Sequence, residues 1–192
     1  DPKGLPDAFI LGKNFIANDN VALILGDNFF YGQSLTKKLK ECVKLKKGAK
    51  VILHPVREPS SYGIAGVNKK NKIIKIIEKP KKFFSNLAVT GLYFFDNKVI
   101  NFSKKLKPSK RNELEIVDLL NKYKYKNQLS AEFLGRGGAW LDTGTIKDFY
   151  NTSAFVSALE NRQGLKIACL EEIAYQNKWI KKKQILDSIK FY

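Results

Sequence analysis

Short apolar runs alternate with lysine-rich amphipathic stretches through the first half of the chain. Residues 21–26 form a continuous apolar run closed by glycine, which is typical of a strand buried on both faces of an α/β sheet. Residues 34–46 place apolar side chains at helical spacing among lysines and predict a helix. Because the apolar run 51–53 predicts another strand, the opening of the chain indicates a parallel strand–helix–strand unit.

The pattern changes in the middle of the chain. Residues 62–67 and 72–78 are short apolar segments on either side of a polar turn, which predicts an inserted β-hairpin. Residues 88–95 predict a further apolar strand. Asp96 follows that strand and is expected to cap a helix that ends near Lys105.

The last part of the chain adds helices and two more strands. The predicted elements are a helix at 113–123 with an acidic first turn, strands at 129–134 and 139–142, a helix ending near Glu160, and short helices at 170–175 and 178–189. Thr143 or Thr145 is placed to cap the helix that follows the second strand. The elements together predict an α/β fold with a Rossmann-like mixed sheet flanked by helices, an inserted hairpin and C-terminal helices.

Length and composition indicate a globular protein, since 44% of the 192 residues are hydrophobic. The formal net charge of +17 raises the possibility of a nucleic-acid or anionic-membrane partner. The excess is almost entirely lysine scattered over predicted helices and turns, so we attribute it to coding bias and expect no nucleic-acid partner. An electrostatic role is the alternative, and salt-sensitive retention on DNA would favour it. No apolar run reaches the roughly 18 residues of a membrane span, so we expect no membrane partner and a cytoplasmic location.

Cysteine and histidine usage argues against metal centres of the zinc type. Cys42 and Cys169 lie far apart without the spacing of a zinc site or a disulfide framework, and we interpret both as structural thiols. His54 is the single histidine and is also interpreted as structural. The sequence has no methionine and begins with aspartate, so we expect it to be a piece of a longer protein.

Two aspartates, Asp27 and Asp142, each end a predicted apolar strand. In open α/β sheets ligands bind beyond the carboxyl ends of the strands, where both carboxylates are expected to emerge. One or two carboxylates together with phosphate oxygens form a suitable Mg²⁺ site. The alternative is that Asp27 caps the following turn and Asp142 caps the following helix.

Three basic side chains are candidates for binding a phosphate. Lys79 leaves a predicted strand just before Pro80, which would point its ammonium group into an adjacent cleft, and a solvated turn is the alternative. Arg111 and Arg136 are placed to bind a phosphate through two parallel hydrogen bonds, with surface salt bridges as the alternative. Single glycines near predicted strand ends permit either close backbone approach to a ligand or a simple turn: Gly4, Gly63 and Gly91.

These stretches, taken in order, resemble the sugar-phosphate nucleotidylyltransferases, and within them the glucose-1-phosphate thymidylyltransferases. The matching segments are residues 1–9, 25–32, 62–64, 78–80, 86–96, 111–116, 135–145 and 160–166. The most specific segment is Gly-Arg-Gly-Gly-Ala-Trp-Leu-Asp-Thr-Gly-Thr at 135–145. The resemblance therefore runs nearly from end to end of the chain.

The resemblance implies an enzyme that joins glucose 1-phosphate to dTTP and releases pyrophosphate and dTDP-glucose, a step toward dTDP-rhamnose and other deoxysugars. It implies Mg²⁺ as the cofactor, in-line attack of the sugar-phosphate oxygen on the α-phosphorus, and a homotetramer. A uridylyl- or cytidylyltransferase acting on the same sugar phosphate is the alternative. The division implied is a partial nucleotidyltransferase core at residues 1–160 and a helical segment at 161–192 that packs on the core or on a partner subunit.

The resemblance also assigns roles to individual residues. Asp27 and Asp142 would be the metal ligands and, together with Lys79, the catalytic residues. The substrate contacts implied are Gly4 and Leu5 for the nucleoside, Tyr62, Gly63, Glu78, Val89 and Tyr93 for glucose, Lys79 and Arg111 for the sugar phosphate, and Trp140 as a wall of the site.

The sequence also departs from the pattern of this family. Family members carry an N-terminal Gly-Gly-x-Gly-Thr-Arg-Leu-x-Pro loop that wraps the triphosphate, together with a lysine and residues that select the base, and these do not occur here. Local departures are Asp7, Gly66 and Ile77. We therefore expect a fragment without the N-terminal nucleotide-binding strands that is inactive alone, or else a non-catalytic product of a truncated gene.

Overall fold

The computed structural model describes residues 3–188 of the chain. The helices are α1 (Asp7–Leu11), α2 (Lys13–Ile16), α3 (Leu35–Cys42), α4 (Val99–Lys104), α5 (Ile116–Tyr125), α6 (Ile146–Gln163), α7 (Leu170–Gln176) and α8 (Lys182–Ser188). The strands are β1 (Val21–Ile24), β2 (Asn28–Gly32), β3 (Ala49–Pro55), β4 (Gly63–Val67), β5 (Ile73–Glu78), β6 (Leu87–Phe95), β7 (Leu129–Phe133) and β8 (Gly138–Asp142). A 3₁₀ turn spans Pro59–Ser61.

The chain divides into two compact units, residues 1–142 and residues 143–192. The division of function between residues 1–160 and 161–192 stays a prediction.

The first unit is built around β6, whose residues are buried from Ala88 to Phe95. The main sheet has the order β5-β4-β6-β3-β7, and β1 also pairs with β6. Phe95 pairs with both β1 and β3, so these two strands lie on opposite sides of β6. Because β3 is antiparallel to β6 and parallel to β7, the sheet is mixed. The prediction of a mixed sheet flanked by helices is therefore confirmed.

The prediction for the first strand is partly wrong. Strand β1 forms where the apolar run predicts it, but its residues alternate between half-buried and exposed, and Ile24 is 58% exposed. One face of the strand is therefore exposed, so it is not buried on both faces. Strands β1 and β3 are both antiparallel to β6, so they run in the same direction but are separated by β6 instead of forming a directly paired parallel unit.

Helices cover the main sheet on both faces, as the amphipathic stretches predict. One apolar cluster includes Phe9 of α1, Val99 of α4 and Val117 of α5. A second cluster includes Cys42 of α3 and Trp140 of β8.

Asp96 connects the end of β6 to the helices that follow. Its carboxylate is buried and accepts hydrogen bonds from the backbone N–H of Gly48 at 2.7 Å, the N–H of Lys98 at 3.2 Å and the hydroxyl of Tyr123 at 2.8 Å. Burial and this hydrogen bond raise the pKa of Tyr123. Asp96 thus bonds the backbone just before α4, but the predicted cap is wrong, because Lys98 stands at the N-cap position and no side chain caps the helix.

Several predicted helix ends differ from the structure. Helix α3 ends at Cys42, and α5 begins at Ile116 because the preceding glutamates belong to a loop. Strands β7 and β8 are not paired with each other, since β7 pairs with β3 while β8 pairs with β2. Helix α8 begins at Lys182, and Ile189, where it was predicted to end, lies outside the described residues.

The second unit consists of α6, α7 and α8. Thr145 caps α6 by accepting the N–H of Asp148 at 3.1 Å, which confirms one of the two predicted caps. Gly164 ends α6 in the left-handed conformation, with φ of 68°. In residues 3–188, no helix combines the length and the apolar character that a membrane span requires.

Candidate active site

Asp27 lies in a tight turn between β1 and β2. The N–H of Asn28 donates to the carbonyl of Leu25 at 3.1 Å, which closes the turn around Gly26 and Asp27. The N–H of Leu25 donates to the carbonyl of Gly91 at 2.9 Å and ties the turn to β6. The carboxylate of Asp27 is therefore displayed at the surface by a turn that is anchored to the buried strand.

Strand β2 pairs with β8 in an antiparallel two-stranded ribbon that the sequence pattern did not predict. Asn28 is the direct partner of Asp142, and the Cα atoms of such partners lie about 4.5–5.5 Å apart. Because Asp27 directly precedes Asn28, the two aspartates share one end of the ribbon. Asp27 follows β1 of the main sheet, whereas Asp142 ends β8 of the ribbon, and Thr145, not Asp142, caps α6.

Asn28 makes three hydrogen bonds at this end of the ribbon. Its Nδ2 donates to Oδ1 of Asp27 at 2.7 Å. Its Oδ1 accepts the indole Nε1–H of Trp140 at 2.6 Å and the N–H of Gly91 at 3.0 Å. We call Asp27, Asn28, Trp140 and Asp142 the ribbon end.

The donor set of the ribbon end fits a hard divalent cation that also binds a ligand. Within residues 3–188, no group of three or more His, Cys, Asp and Glu side chains is arranged to hold a metal ion. Two carboxylates alone are too few for a dedicated protein site, but Mg²⁺ characteristically takes one or two carboxylates and completes its shell with phosphate oxygens and water. Asp27 and Asp142 are the residues that could hold it.

Trp140 is the buried member of the ribbon end and is only 9% exposed. Its ring packs edge-on against Tyr62, with the ring centroids 5.1 Å apart, and against His54 at 6.5 Å. Burial lowers the pKa of His54, which suits a neutral structural imidazole. The indole thus connects the ribbon to the strands that carry the predicted sugar pocket.

Four of the predicted sugar-pocket residues lie on the three neighbouring strands β5, β4 and β6 and on the segment just before β4. Gly63 pairs directly with Glu78, and a Cβ atom at position 63 would lie 3.1 Å from Oε2 of Glu78. The carbonyl of Tyr62 accepts the N–H of Lys79 at 3.0 Å. Val89 is buried on the adjacent β6. The hairpin β4–β5 therefore brings these residues together at one end.

Lys79 has an unusual backbone conformation. Its φ is 42°, in the left-handed region that favours glycine, and it directly precedes a buried proline. Such a conformation costs of the order of 1–3 kcal/mol and persists only where the surroundings impose it. The side chain is exposed, so the sequence places a cation at the surface where the hairpin ends.

Electrostatic interactions connect the hairpin with the ribbon end. Burial raises the pKa of Glu78, with a further contribution from the nearby carboxylate of Glu115. Tyr93 is 4% exposed, and burial together with the charges of Glu78 and Asp27 raises its pKa. The Tyr93 hydroxyl is therefore near enough to both carboxylates for each of them to affect its pKa.

Arg111 is held in a loop at residues 108–115, which we call the arginine loop. Its Nε and NH2 groups donate to the two carboxylate oxygens of Glu115 at 3.1 and 2.7 Å. The hydroxyl of Ser109 donates to the same carboxylate at 2.7 Å. Burial alone would raise the pKa of Glu115, but the hydrogen bonds from Arg111 and Ser109 outweigh it and lower the pKa.

The arginine loop also contacts the N-terminal segment. The carbonyl of Lys3 accepts the N–H of Leu114 at 2.7 Å. Gly4 has φ of 100°, and a Cβ atom there would collide with the carbonyl of Leu114, so both conformation and space require glycine. Leu5 is 37% exposed beside it. Gly4 and Leu5 therefore lie next to the loop that carries Arg111.

The structure brings the predicted site residues into three neighbouring groups, all within the first unit: the ribbon end, the hairpin with β6, and the arginine loop with the N-terminal segment. Arg136 lies outside these groups, in the turn between β7 and β8. The residues that sequence reasoning missed are Asn28, Ser109 and Glu115. The sequence signal that could have indicated them is proximity, since each lies within four positions of a predicted site residue.

Comparison with known proteins gives matches along most of the chain. The family model described as nucleotidyl transferase matches residues 1–158. A glucose-1-phosphate thymidylyltransferase of Neisseria meningitidis serogroup A is 48% identical over 184 residues, which are 96% of this chain and 64% of that protein. The chain thus spans less than two thirds of the length of this curated relative.

Solved structures share the fold. A Bacillus anthracis protein, provisionally named glucose-1-phosphate thymidylyltransferase and crystallised in complex with sucrose, is 39% identical with a TM-score of 0.71, covering 81% of this chain and 61% of that one. A UDP-glucose pyrophosphorylase complexed with UDP-glucose is 25% identical with a TM-score of 0.72, covering 85% of this chain and 64% of that one. These matches confirm the resemblance drawn from the motifs, and the chain belongs to the nucleotidyl transferase family.

Proposed function

We propose that the chain forms the sugar-phosphate- and metal-binding part of a glucose-1-phosphate thymidylyltransferase, which condenses dTTP and glucose 1-phosphate into dTDP-glucose and pyrophosphate. The observation that carries the proposal is the pairing of Asn28 with Asp142, because it gathers the carboxylates of Asp27 and Asp142 at one end of the ribbon. Names of similar proteins support the choice of nucleotide and sugar.

Asp27 and Asp142 are the proposed ligands of Mg²⁺. Two carboxylates at one ribbon end, without a third acidic or imidazole ligand in the described part of the chain, suit a cation that arrives with phosphate oxygens. When bound, Mg²⁺ would neutralise negative charge on the phosphates.

Glu78 is the proposed ligand of the glucose hydroxyls. Its carboxylate packs directly against Gly63, where any side chain would crowd Oε2. Tyr62 and Trp140 pack edge-on and offer an apolar surface beside it. A half-buried carboxylate with a raised pKa is costly unless a ligand supplies hydrogen bonds, and sugar hydroxyls are such donors.

Lys79 and Arg111 are the proposed ligands of the sugar phosphate. Arg111 uses one edge of its guanidinium for Glu115, and this leaves further N–H groups for a second anion. Lys79 supplies a second positive charge from the end of the hairpin, and its left-handed backbone is consistent with a position imposed by function.

These groups would bind and orient the two substrates without forming a bond to either. One oxygen of glucose 1-phosphate forms a bond to the α-phosphorus of dTTP, while the bond from that phosphorus to the pyrophosphate breaks. By orienting the substrates, the site converts a reaction between two molecules into one within a single complex. This removes a large part of the activation barrier. The positive side chains reduce the repulsion between the two phosphate groups.

A homotetramer and a cytoplasmic location are part of the proposal. Large apolar side chains of the second unit are exposed, including Ile146 at 91%, Leu170 at 75% and Trp179 at 73%. Such surfaces are typical of subunit contacts. Cys42 and Cys169 are both free thiols, which suits a reducing compartment. Light scattering coupled to size-exclusion chromatography would measure the number of subunits in the assembly.

Binding of glucose 1-phosphate to the 192-residue chain tests the sugar-phosphate part of the proposal. We expect saturable shifts of the Gly63 and Val89 amides in a ¹H–¹⁵N spectrum. Arg111→Ala should weaken binding about tenfold, since a charge-assisted bond is lost. Lys13→Ala is the matched control, because Lys13 is an exposed cation of α2. Equal affinities of Arg111→Ala and the unmodified chain would contradict the assignment.

Transfer itself is tested by joining the Gly-Gly-x-Gly-Thr-Arg segment of a family member ahead of residue 1. We expect pyrophosphate release with dTTP to exceed release with UTP or CTP. Asp27→Asn and Asp142→Asn should each lower the rate about 10²–10³-fold, the range found when one stabilising group of a transition state is removed. A preference for UTP or CTP would favour the alternative nucleotide specificity.

A further inference from the structure

The side chain of Asn28 joins three separate segments of the first unit. It bonds to Asp27 in the turn, to Gly91 on β6 and to Trp140 on β8. The orientation of its amide follows from chemistry, because the Gly91 N–H and the Trp140 indole can only donate. Its oxygen must therefore face these two groups, which leaves the NH₂ group for the carboxylate of Asp27.

Gly91 is shaped to receive this side chain. A Cβ atom at position 91 would lie 2.6 Å from Cγ and from Oδ1 of Asn28, and 2.7 Å from Nδ2. All three nearest atoms belong to Asn28, and the backbone conformation at Gly91 is one that other residues also adopt. Glycine is thus required at position 91 by the close approach of Asn28 and not by its own φ.

We propose that Asn28 is a positioning residue that fixes the Asp27 carboxylate and the Trp140 indole against β6. The proposal rests on the proposed function, since Asp27 becomes a metal ligand only there. The hydrogen bond from Nδ2 directs the Asp27 carboxylate, and the bond from the indole N–H holds Trp140, which Tyr62 and His54 also contact. Asn28 therefore sets the arrangement of both groups before any cation or phosphate arrives.

The first test observes the indole N–H of Trp140 in a ¹H–¹⁵N spectrum. The chain has two tryptophans, so Trp179→Phe assigns the signal. Asn28→Ala should move it upfield because the hydrogen bond is lost. Asn28→Asp keeps both acceptor interactions and should leave it near its original position.

Gly91 gives a rescue experiment for the same signal. Gly91→Ala should move the Trp140 indole signal, because the new methyl group displaces Asn28. The double variant Asn28→Ala with Gly91→Ala should match Asn28→Ala alone, since the colliding atoms are gone. If Asn28→Ala does not fold, Asn28→Ser replaces it in this comparison. Additive shifts in the double variant would overturn the proposed contact.

The second test measures Mn²⁺ affinity of the full chain in the presence of inorganic phosphate, with Mn²⁺ as a probe for Mg²⁺ and phosphate as the source of the oxygens that two carboxylates do not supply. Asn28→Ala should weaken Mn²⁺ binding about 10–100-fold, the loss typical when a partner of a metal-binding side chain is removed. Asn101→Ala, an exposed asparagine of α4, is the matched control and should bind Mn²⁺ unchanged. Asp27→Asn and Asp142→Asn should abolish binding.

The outcomes distinguish the proposed metal site from the proposed positioning role of Asn28. If Asp27→Asn and Asp142→Asn leave Mn²⁺ binding unchanged, the proposed metal site fails, and the indole signal alone decides whether Asn28 fixes the ribbon. If those variants lose binding while Asn28→Ala retains it, the metal site stands and the positioning role is overturned. If Asn28→Ala weakens Mn²⁺ binding and moves the indole signal, the positioning role is supported.

Discussion

The ribbon end and the arginine loop both present charged groups at the candidate site, but they hold them by different means. At the ribbon end, Asn28 links residues as far apart in sequence as Asp27 and Trp140, and one of its partners is the buried strand β6. In the arginine loop, Arg111 is held by Glu115, four positions away, and half of its side chain is exposed.

This difference indicates how much each region contributes to the free energy of unfolding. A hydrogen bond to a buried partner leaves an unsatisfied group when it is broken, and this costs about 1–3 kcal/mol. An exposed ion pair contributes about 0–1 kcal/mol, because water replaces it readily. Disruption of the ribbon end should therefore affect stability strongly, while disruption of the arginine loop should affect mainly ligand binding.

Trp140→Ala should give the largest effect. The indole is 9% exposed and packs against Tyr62, so its removal leaves a cavity and should lower the free energy of unfolding by about 3–5 kcal/mol. Urea denaturation followed by circular dichroism measures the change. Trp179→Ala is the matched control, because Trp179 is 73% exposed and should change stability by less than about 0.5 kcal/mol.

Trp140→Phe separates packing from hydrogen bonding at the ribbon end. Most of the apolar contact remains, while Oδ1 of Asn28 loses one of its two donors. The loss should be about 1–2 kcal/mol, clearly smaller than for Trp140→Ala. Equal losses for the two variants would show that the hydrogen bond, not the packing, dominates and would reverse our interpretation.

Local pattern predicted most elements of the fold but not the ribbon. The apolar runs that became β3, β4 and β6 have strong periodicity and buried neighbours, so pattern and structure agree. Strand β2 has the sequence Asn-Phe-Phe-Tyr-Gly and is half-buried throughout, without the alternation that marks a strand. It becomes a strand only because β8, more than a hundred residues later, pairs with it.

The same reasoning separates the predicted from the unpredicted parts of the site. Asp27 and Lys79 stand out in sequence because a charge follows an apolar run. Glu115 was assigned to the first turn of a helix, but it lies just before α5. Its carboxylate there accepts hydrogen bonds from Arg111 and Ser109. These hydrogen bonds become visible only in the folded chain.

Glu78 sharpens the comparison, because it is a half-buried carboxylate whose pKa responds to the charges of the arginine loop. Burial raises its pKa above the ordinary 4.5, so the folded state binds a proton more tightly than the unfolded state. Stability from this group is therefore lost as the pH rises from 4.5 through the raised pKa. Glu78→Gln should be more stable than the unmodified chain at pH 7, and the advantage should shrink toward pH 4.5.

Urea denaturation of both proteins at several pH values measures this advantage. Glu113→Gln, an exposed carboxylate of the arginine loop, is the control and should show no comparable advantage at pH 7. An advantage of Glu78→Gln that stays constant from pH 4.5 to pH 7 would contradict a raised pKa as its cause.

Glu115→Gln should give the smallest change in the free energy of unfolding, because it affects only the arginine loop. The free energy of unfolding should fall by less than about 1 kcal/mol, since the Arg111–Glu115 pair is half exposed on the arginine side. Glucose 1-phosphate should nevertheless bind several-fold more weakly, because Arg111 loses the partner that orients its free N–H groups. The difference between these two readouts distinguishes the loop from the ribbon end. A loss of stability as large as that of Trp140→Ala would mean that both regions are anchored in the core.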